Sequence, residues 1–121
     1  MKIAVTSQNF RIVTGHAGKS RRFIIYDLGT ACDTPKVVWL DLPMDMTFHE
    51  FSGGPHPLDD VEVILTASAG NGLIEKLAKR GVQLVTCGES EPRKAVRDFL
   101  TGKVKQANPF AQLEQERHAC A

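Results

Sequence analysis

At 121 residues, 42% apolar and 24% charged, the chain is long enough for one domain with a real core and too short for two ordinary ones. Lys and Arg number 15 against 14 Asp and Glu, which excludes the global positive charge of a nucleic-acid binder and leaves Lys19-Ser-Arg-Arg22 as a local basic patch. No apolar run is long enough to cross a bilayer, and Met1-Lys-Ile-Ala-Val-Thr enters a strand pattern with no signal-peptide core, so a cytoplasmic protein without membrane contact is expected.

In chain order, Lys2 to Ser7 reads as a first strand. A polar loop, Gln8 to Ser20, with Gly15-His16-Ala17-Gly18 in its middle, separates it from the aromatic and β-branched run Arg21 to Leu28, a second strand. Gly29 to Pro35 has turn chemistry, and Lys36 to Leu42 makes a third strand that Pro43 stops. The three form an antiparallel meander. From Pro43 to Asp60 the chain is too long for a hairpin and suits a crossover with one or two helical turns, irregular from Gly53 to Pro57.

Val61 to Thr66 is apolar and β-branched, as expected of a strand covered on both faces. Ala67 to Gly72 then holds only small residues and an Asn, leaving the backbone nearly naked at the strand's carboxyl end. A helix follows, with Leu73, Ile74, Leu77 and Ala78 on its apolar face and Gly81 as its C′ residue. A fifth strand, Val82 to Thr86, leads through Cys87-Gly-Glu-Ser90 to a second helix from about Glu91. Ser90 is its expected cap, Pro92 suits its first turn, and Gly102 ends it. The core domain is therefore read as residues 1–105, with 106–121 a mobile tail that carries few apolar side chains.

Three meander strands followed by strand, helix, strand, helix give an α/β fold, a mixed five-stranded sheet with helices on its faces. The arrangement is that of the ribonuclease H-like fold, with strand order 3-2-1-4-5. In that order the carboxyl ends of strands 1, 3, 4 and 5 share one edge, with the switch point between strands 1 and 4. His16, the crossover residues Met44, Met46 and His49, the turn Ala69, Gly70, Asn71 and Gly72, and Cys87 all emerge there. His56, late in the crossover, is expected nearer the opposite edge.

A strand running into a glycine turn and a helix N-terminus offers unpaired amide donors to an anion. Small residues are equally explained by close strand-helix packing, and Gly70-Asn71-Gly72 fits neither common phosphate fingerprint. His16, between glycines, is either a ligand or anion contact or an ordinary exposed histidine. His49, beside Phe48 and Phe51, is either a ligand or the rim of a core-facing segment. His56, between two prolines, is more often turn-fixing, and Met44 and Met46 are more often packing residues. Cys87 directly follows a buried strand and is either a ligand or a small apolar filler. Cys32, Cys87 and Cys120 are odd in number and far apart, which argues against a disulfide framework. His118 and Cys120 on the tail are a weak metal pair. A two-metal nuclease would need carboxylates clustered on the strands, and strand 1 has none.

The chain resembles the dinitrogenase iron-molybdenum cofactor biosynthesis family, which includes NifX- and NafY-type carriers and the C-terminal domain of NifB-type proteins, over about residues 1–105. The matching features are Met1-Lys-Ile-Ala-Val, Gly15-His16-Ala17-Gly18, Arg22-Phe-Ile-Ile-Tyr26, and Thr66 to Gly72 before Leu77...Gly81-Val82. The last is Glu91-Pro92...Ala95-Val96...Leu100-x-Gly102. Ala17 stands where that family often has Phe. The resemblance implies a non-catalytic protein that binds an iron-sulfur cluster precursor or the iron-molybdenum cofactor as transient cargo and exchanges it with nitrogenase cofactor-assembly proteins. The loops that share one sheet edge, the helix-terminal donors and the resemblance at His16 together predict one cofactor site at His16, His49 and Ala69, Gly70, Asn71 and Gly72, with Cys87 at its margin and His16 and His49 as metal ligands. A regulatory or scaffolding protein that binds no cluster is the alternative.

Overall fold

The computed structural model describes residues 1–28 and 36–104. Alternation along the strands divides the core into two layers, one on each face of a single sheet. In β1 (Lys2–Thr6), Ile3 and Val5 enter one layer and Ala4 the other. β2 (Arg22–Asp27) continues the division, with Phe23 on the side of Ala4 and Ile24 and Tyr26 on the side of Val5. Cross-strand pairs Ile3↔Tyr26 and Val5↔Ile24 fix this register; a slip of one residue would exchange the two layers.

β3 (Lys36–Asp41) pairs antiparallel with β2, while β4 (Val63–Thr66) lies parallel to β1 and β5 (Gln83–Thr86) parallel to β4. The sheet order is β3-β2-β1-β4-β5, as the sequence predicts. All four residues of β4 are buried, in keeping with its central position. β3 is an edge strand and mostly exposed, and its Trp39 stacks on Phe10 with ring centroids 4.7 Å apart.

Helix α1 (Asn71–Lys79) covers the face of Ala4 and Phe23 through Leu73, Ile74 and Leu77. Helix α2 (Pro92–Leu100) covers the other face through Ala95, Val96 and Phe99. Both stop by the same device. After α1, Gly81 takes φ +81 and the Val82 and Gly81 amides return to the Leu77 and Ala78 carbonyls at 2.9 and 3.0 Å. After α2, Gly102 takes φ +72 and Lys103 N–H returns to the Asp98 carbonyl at 2.8 Å. These left-handed C′ glycines satisfy carbonyls that the helix ends would otherwise leave open.

Some boundaries differ from the sequence reading. The fourth strand begins at Val63, and α1 begins at Asn71, inside the expected glycine turn. Ala78 is exposed, not on the buried face. Ser90 does not cap α2: the N-cap is Glu91 without a side-chain bond, and Glu89 Oε2 accepts the Ser90 and Glu91 amides at 3.0 Å each. A carboxylate reaches two adjacent donors where a serine hydroxyl on the wrong residue reaches neither. The crossover between β3 and β4 makes one short 3-10 turn, Met44–Met46, then buries Phe48, Leu58 and Val61 beside α1. Val104 packs against the α2 layer. No helix among the described residues is long and apolar enough to cross a membrane.

Candidate functional site

The carboxyl ends of β1 and β4 lie side by side, but β1 leads away to β2 while β4 leads to α1, so the two loops diverge and open a crevice at the switch point. Hydroxyls brace its floor. Thr6 Oγ1 and Thr66 Oγ1 lie 2.9 Å apart, both contact the Thr14 carbonyl oxygen, and Ala67 N–H donates to that same oxygen at 3.0 Å. The loop after β1 is thereby tied to the turn after β4. Beyond the floor, His16 N–H donates to Ser68 Oγ at 2.9 Å and Ala17 N–H to the Ser68 carbonyl at 3.3 Å. The crossover joins them through His49 N–H, which donates to the Gly18 carbonyl at 2.7 Å.

These three segments surround an open cleft of about 250 Å³. The loop after β1 supplies His16, Gly18 and Lys19, and the crossover supplies His49. Ser68, Ala69 and Gly70 come from the turn after β4, and Leu73 from α1. Among the described residues, no carboxylate lines it. Lys19 is exposed, and no ion pair within the described residues involves it. His49 is 59% exposed in its side chain, with Nε2 3.9 Å from Glu50. His16 is different: its Nε2 is buried without a hydrogen-bond partner among the described residues. A buried, unpaired ring nitrogen is unfavourable unless something binds it.

The α1 N-terminus adds donors. Its N-cap, Gly70, provides no side-chain bond, and no acidic residue occupies the first turn. A Cβ built on Gly70 or Gly72 would meet nothing within 4 Å, so a bulky group can approach this backbone. The cleft therefore combines two imidazoles, the Lys19 ammonium and, at its Gly70 edge, the start of α1, a set suited to an anionic, metal-containing ligand.

Of the residues singled out by sequence, the structure brings together His16, His49, Ala69 and Gly70. Asn71 and Gly72 are exposed in the first turn of α1, outside the cleft lining. Cys87 does not reach the cleft. It is 3% exposed beside Ala95 and Val96 in the α2 layer, and burial pushes its thiol above the ordinary range. The filler reading is the one its surroundings support. Met44 is exposed and Met46 packs on the α1 layer. His56 is buried: Nε2 meets the Met46 carbonyl at 2.7 Å, Nδ1 accepts Leu58 N–H at 3.0 Å, and the ring stacks on Phe48 with centroids 4.7 Å apart. Those partners specify the Nε2–H tautomer and leave no nitrogen for a ligand. Cys32, His118 and Cys120 lie outside the described residues. Among the described residues, no group of three or more His, Cys, Asp or Glu side chains could hold a metal ion. Sequence reasoning overlooked Ser68 and assigned Lys19 only to a generic basic patch. No local signal marks Ser68, because its partner His16 is far away in the chain.

Residues 1–102 match the family described as dinitrogenase iron-molybdenum cofactor. Among solved structures, the crystal structure of PH0822 superposes with a TM-score of 0.71 at 23% identity, over 91% of this chain and 99% of that one. The NMR structure of a NifB-like protein from Thermotoga, of the DUF35 family, gives 0.61 at 19% identity over 87% and 91%. The apo form of the orange protein from Desulfovibrio gigas gives 0.61 at 22% identity over 88% and 92%. At these identities the likeness establishes the fold alone. No match is found among curated proteins.

Proposed function

Because the chain belongs to the dinitrogenase iron-molybdenum cofactor family, we propose that it is a non-catalytic carrier whose cleft binds an iron-sulfur cluster precursor or the iron-molybdenum cofactor and exchanges it with nitrogenase cofactor-assembly proteins. The observation that carries this reading is that His16, whose Nε2 is buried and unpartnered among the described residues, lines a cleft that no described carboxylate lines. Imidazole is a good iron ligand, and one or two imidazoles hold a cluster less firmly than the four thiolates of a resident iron-sulfur centre. The sulfide-rich, anionic remainder of such a cargo is complemented by Lys19 and the open first turn of α1. An open cleft lets cargo leave as readily as it arrives.

The test is purification under strict anaerobiosis from cells assembling nitrogenase, followed by metal analysis. Iron, with or without molybdenum, at near-stoichiometric amounts and lost from His16→Ala supports a carrier. A protein that stays metal-free there and after incubation with a cluster donor would instead be a regulatory or scaffolding member of the family.

A further inference from the structure

His16 has φ +55, in the left-handed region. That conformation is unfavourable for any residue with a β-carbon, although histidine tolerates it better than most, and it persists only where surrounding contacts over-determine it. Two of the contacts to His16 are internal to its own loop: its carbonyl accepts Lys19 N–H at 2.9 Å and the Ser20 hydroxyl at 3.2 Å. They form a turn but do not tie the residue to the sheet. The contact that does so is His16 N–H to Ser68 Oγ, from a residue distant in sequence and 7% exposed. Water cannot readily replace an acceptor so enclosed, and an amide left unpaired there would favour another conformation. The ring follows the backbone, because the rotamers open to a side chain depend on its φ and ψ.

We infer that Ser68 is a positioning residue for cargo binding: its hydroxyl oxygen accepts the His16 amide and thereby holds His16, which lines the cleft, in its left-handed conformation and fixes where its imidazole sits. The inference rests on reading the cleft as a cargo site. Ser68 also lines the cleft, so the rival explanation is direct contact with cargo, and the two roles predict different couplings. Neighbouring bonds survive its truncation, since Ala17 N–H and Thr66 Oγ1 both use the Ser68 carbonyl. Ser68→Ala therefore removes one link and leaves the others.

The experiment has two readouts. The first needs no cargo: amide hydrogen exchange at His16 and the ¹⁵N resonance of its Nε2 are compared in wild type, Ser68→Ala and Ser68→Thr. Ser68→Ala should speed exchange at His16 at least about tenfold, the loss of one protected hydrogen bond, and move the ring resonance. Exchange at Ala67, bonded to Thr14, should stay slow, and Ser68→Thr should restore His16. Ser68→Cys, which keeps the volume but offers a weaker acceptor, should act in the same direction should Ala loosen the fold. The second readout is the affinity for isolated iron-molybdenum cofactor under argon, in a cycle with His16→Ala. Ser68→Ala should weaken binding about tenfold in the wild-type background and not at all in the His16→Ala background. Unchanged exchange and resonance, or an equal loss in both backgrounds, would overturn the positioning role. If wild type binds no cofactor, the carrier reading fails while the first readout still decides whether Ser68 holds His16.

Discussion

The amide of His49 donates to the carbonyl oxygen of Gly18 at 2.7 Å, so the crossover after β3 and the loop after β1 form one continuous wall of the cleft. The bond is between backbones, so removing the His49 imidazole leaves the wall standing. His49→Ala is expected to alter thermal stability by less than about 0.5 kcal/mol, the usual effect of an exposed substitution. Its effect on cofactor affinity should be smaller than that of His16→Ala, because the His49 ring is largely exposed while the His16 nitrogen is buried. Equilibrium unfolding in urea and anaerobic titration of both variants check the two halves of this expectation.

His56 should behave in the opposite way. Truncating it would leave the Met46 carbonyl and the Leu58 amide without their partners and remove the ring stacked on Phe48. Together these should cost about 3 kcal/mol, read as a lower urea midpoint for His56→Ala. The cofactor affinity of the folded variant should be unchanged. A stable variant with lost binding would mean that His56, not His16, serves the cargo.

Acid stability should depend on Asp59. Burial acts on its carboxyl most strongly and opposes ionisation, but the His56 amide and the Arg80 guanidinium together outweigh it and hold the group below its ordinary value of 3.8. Arg80 forks onto Asp59 at 2.7 and 2.9 Å. A lowered folded-state value means that the stabilisation is complete above the ordinary carboxylate range and is lost as pH falls through the folded value. Asp59→Asn should therefore show a flatter dependence of Tm on pH below about 4 than the parent. An unchanged acid limb would show that the pair contributes nothing.

Val104 packs against the α2 layer, so a chain ending there retains its last known core contact. Removing residues 105–121 is expected to shift Tm by less than about 4 °C, the change that about 1 kcal/mol produces in a domain of this size. A larger loss would give the C-terminal segment a structural role.

The sheet order was legible because it follows from local signals and one general rule. Apolar runs set the strands, strands consecutive in the chain pair into the meander, and right-handed crossovers place β4 and β5 on the far side of β1. The glycines that end both helices were legible too, since only their left-handed geometry closes those ends. Alternation bears on Cys87, which the sequence left as ligand or apolar filler: Leu84 faces the α1 layer, so the third residue beyond it, Cys87, lies in the α2 layer. The role of Ser68 was not legible. It depends on a hydrogen bond to a residue far away in the chain, and no local pattern announces which loops will touch. The same holds for His56, whose flanking prolines suggested a turn. The turn exists, with Asp59 Oδ2 accepting the His56 amide at 2.9 Å, but the stacking on Phe48 is tertiary.

The central claim is tested most directly by titrating the wild-type protein and His16→Ala with isolated iron-molybdenum cofactor under argon, with the fold of each checked by circular dichroism. Saturable binding to wild type near one cofactor per chain is expected. Binding to a His16→Ala variant that remains folded should be at least about tenfold weaker, equivalent to about 1.4 kcal/mol. Equal affinity of the two proteins would contradict the assignment of the buried His16 nitrogen as the cargo ligand.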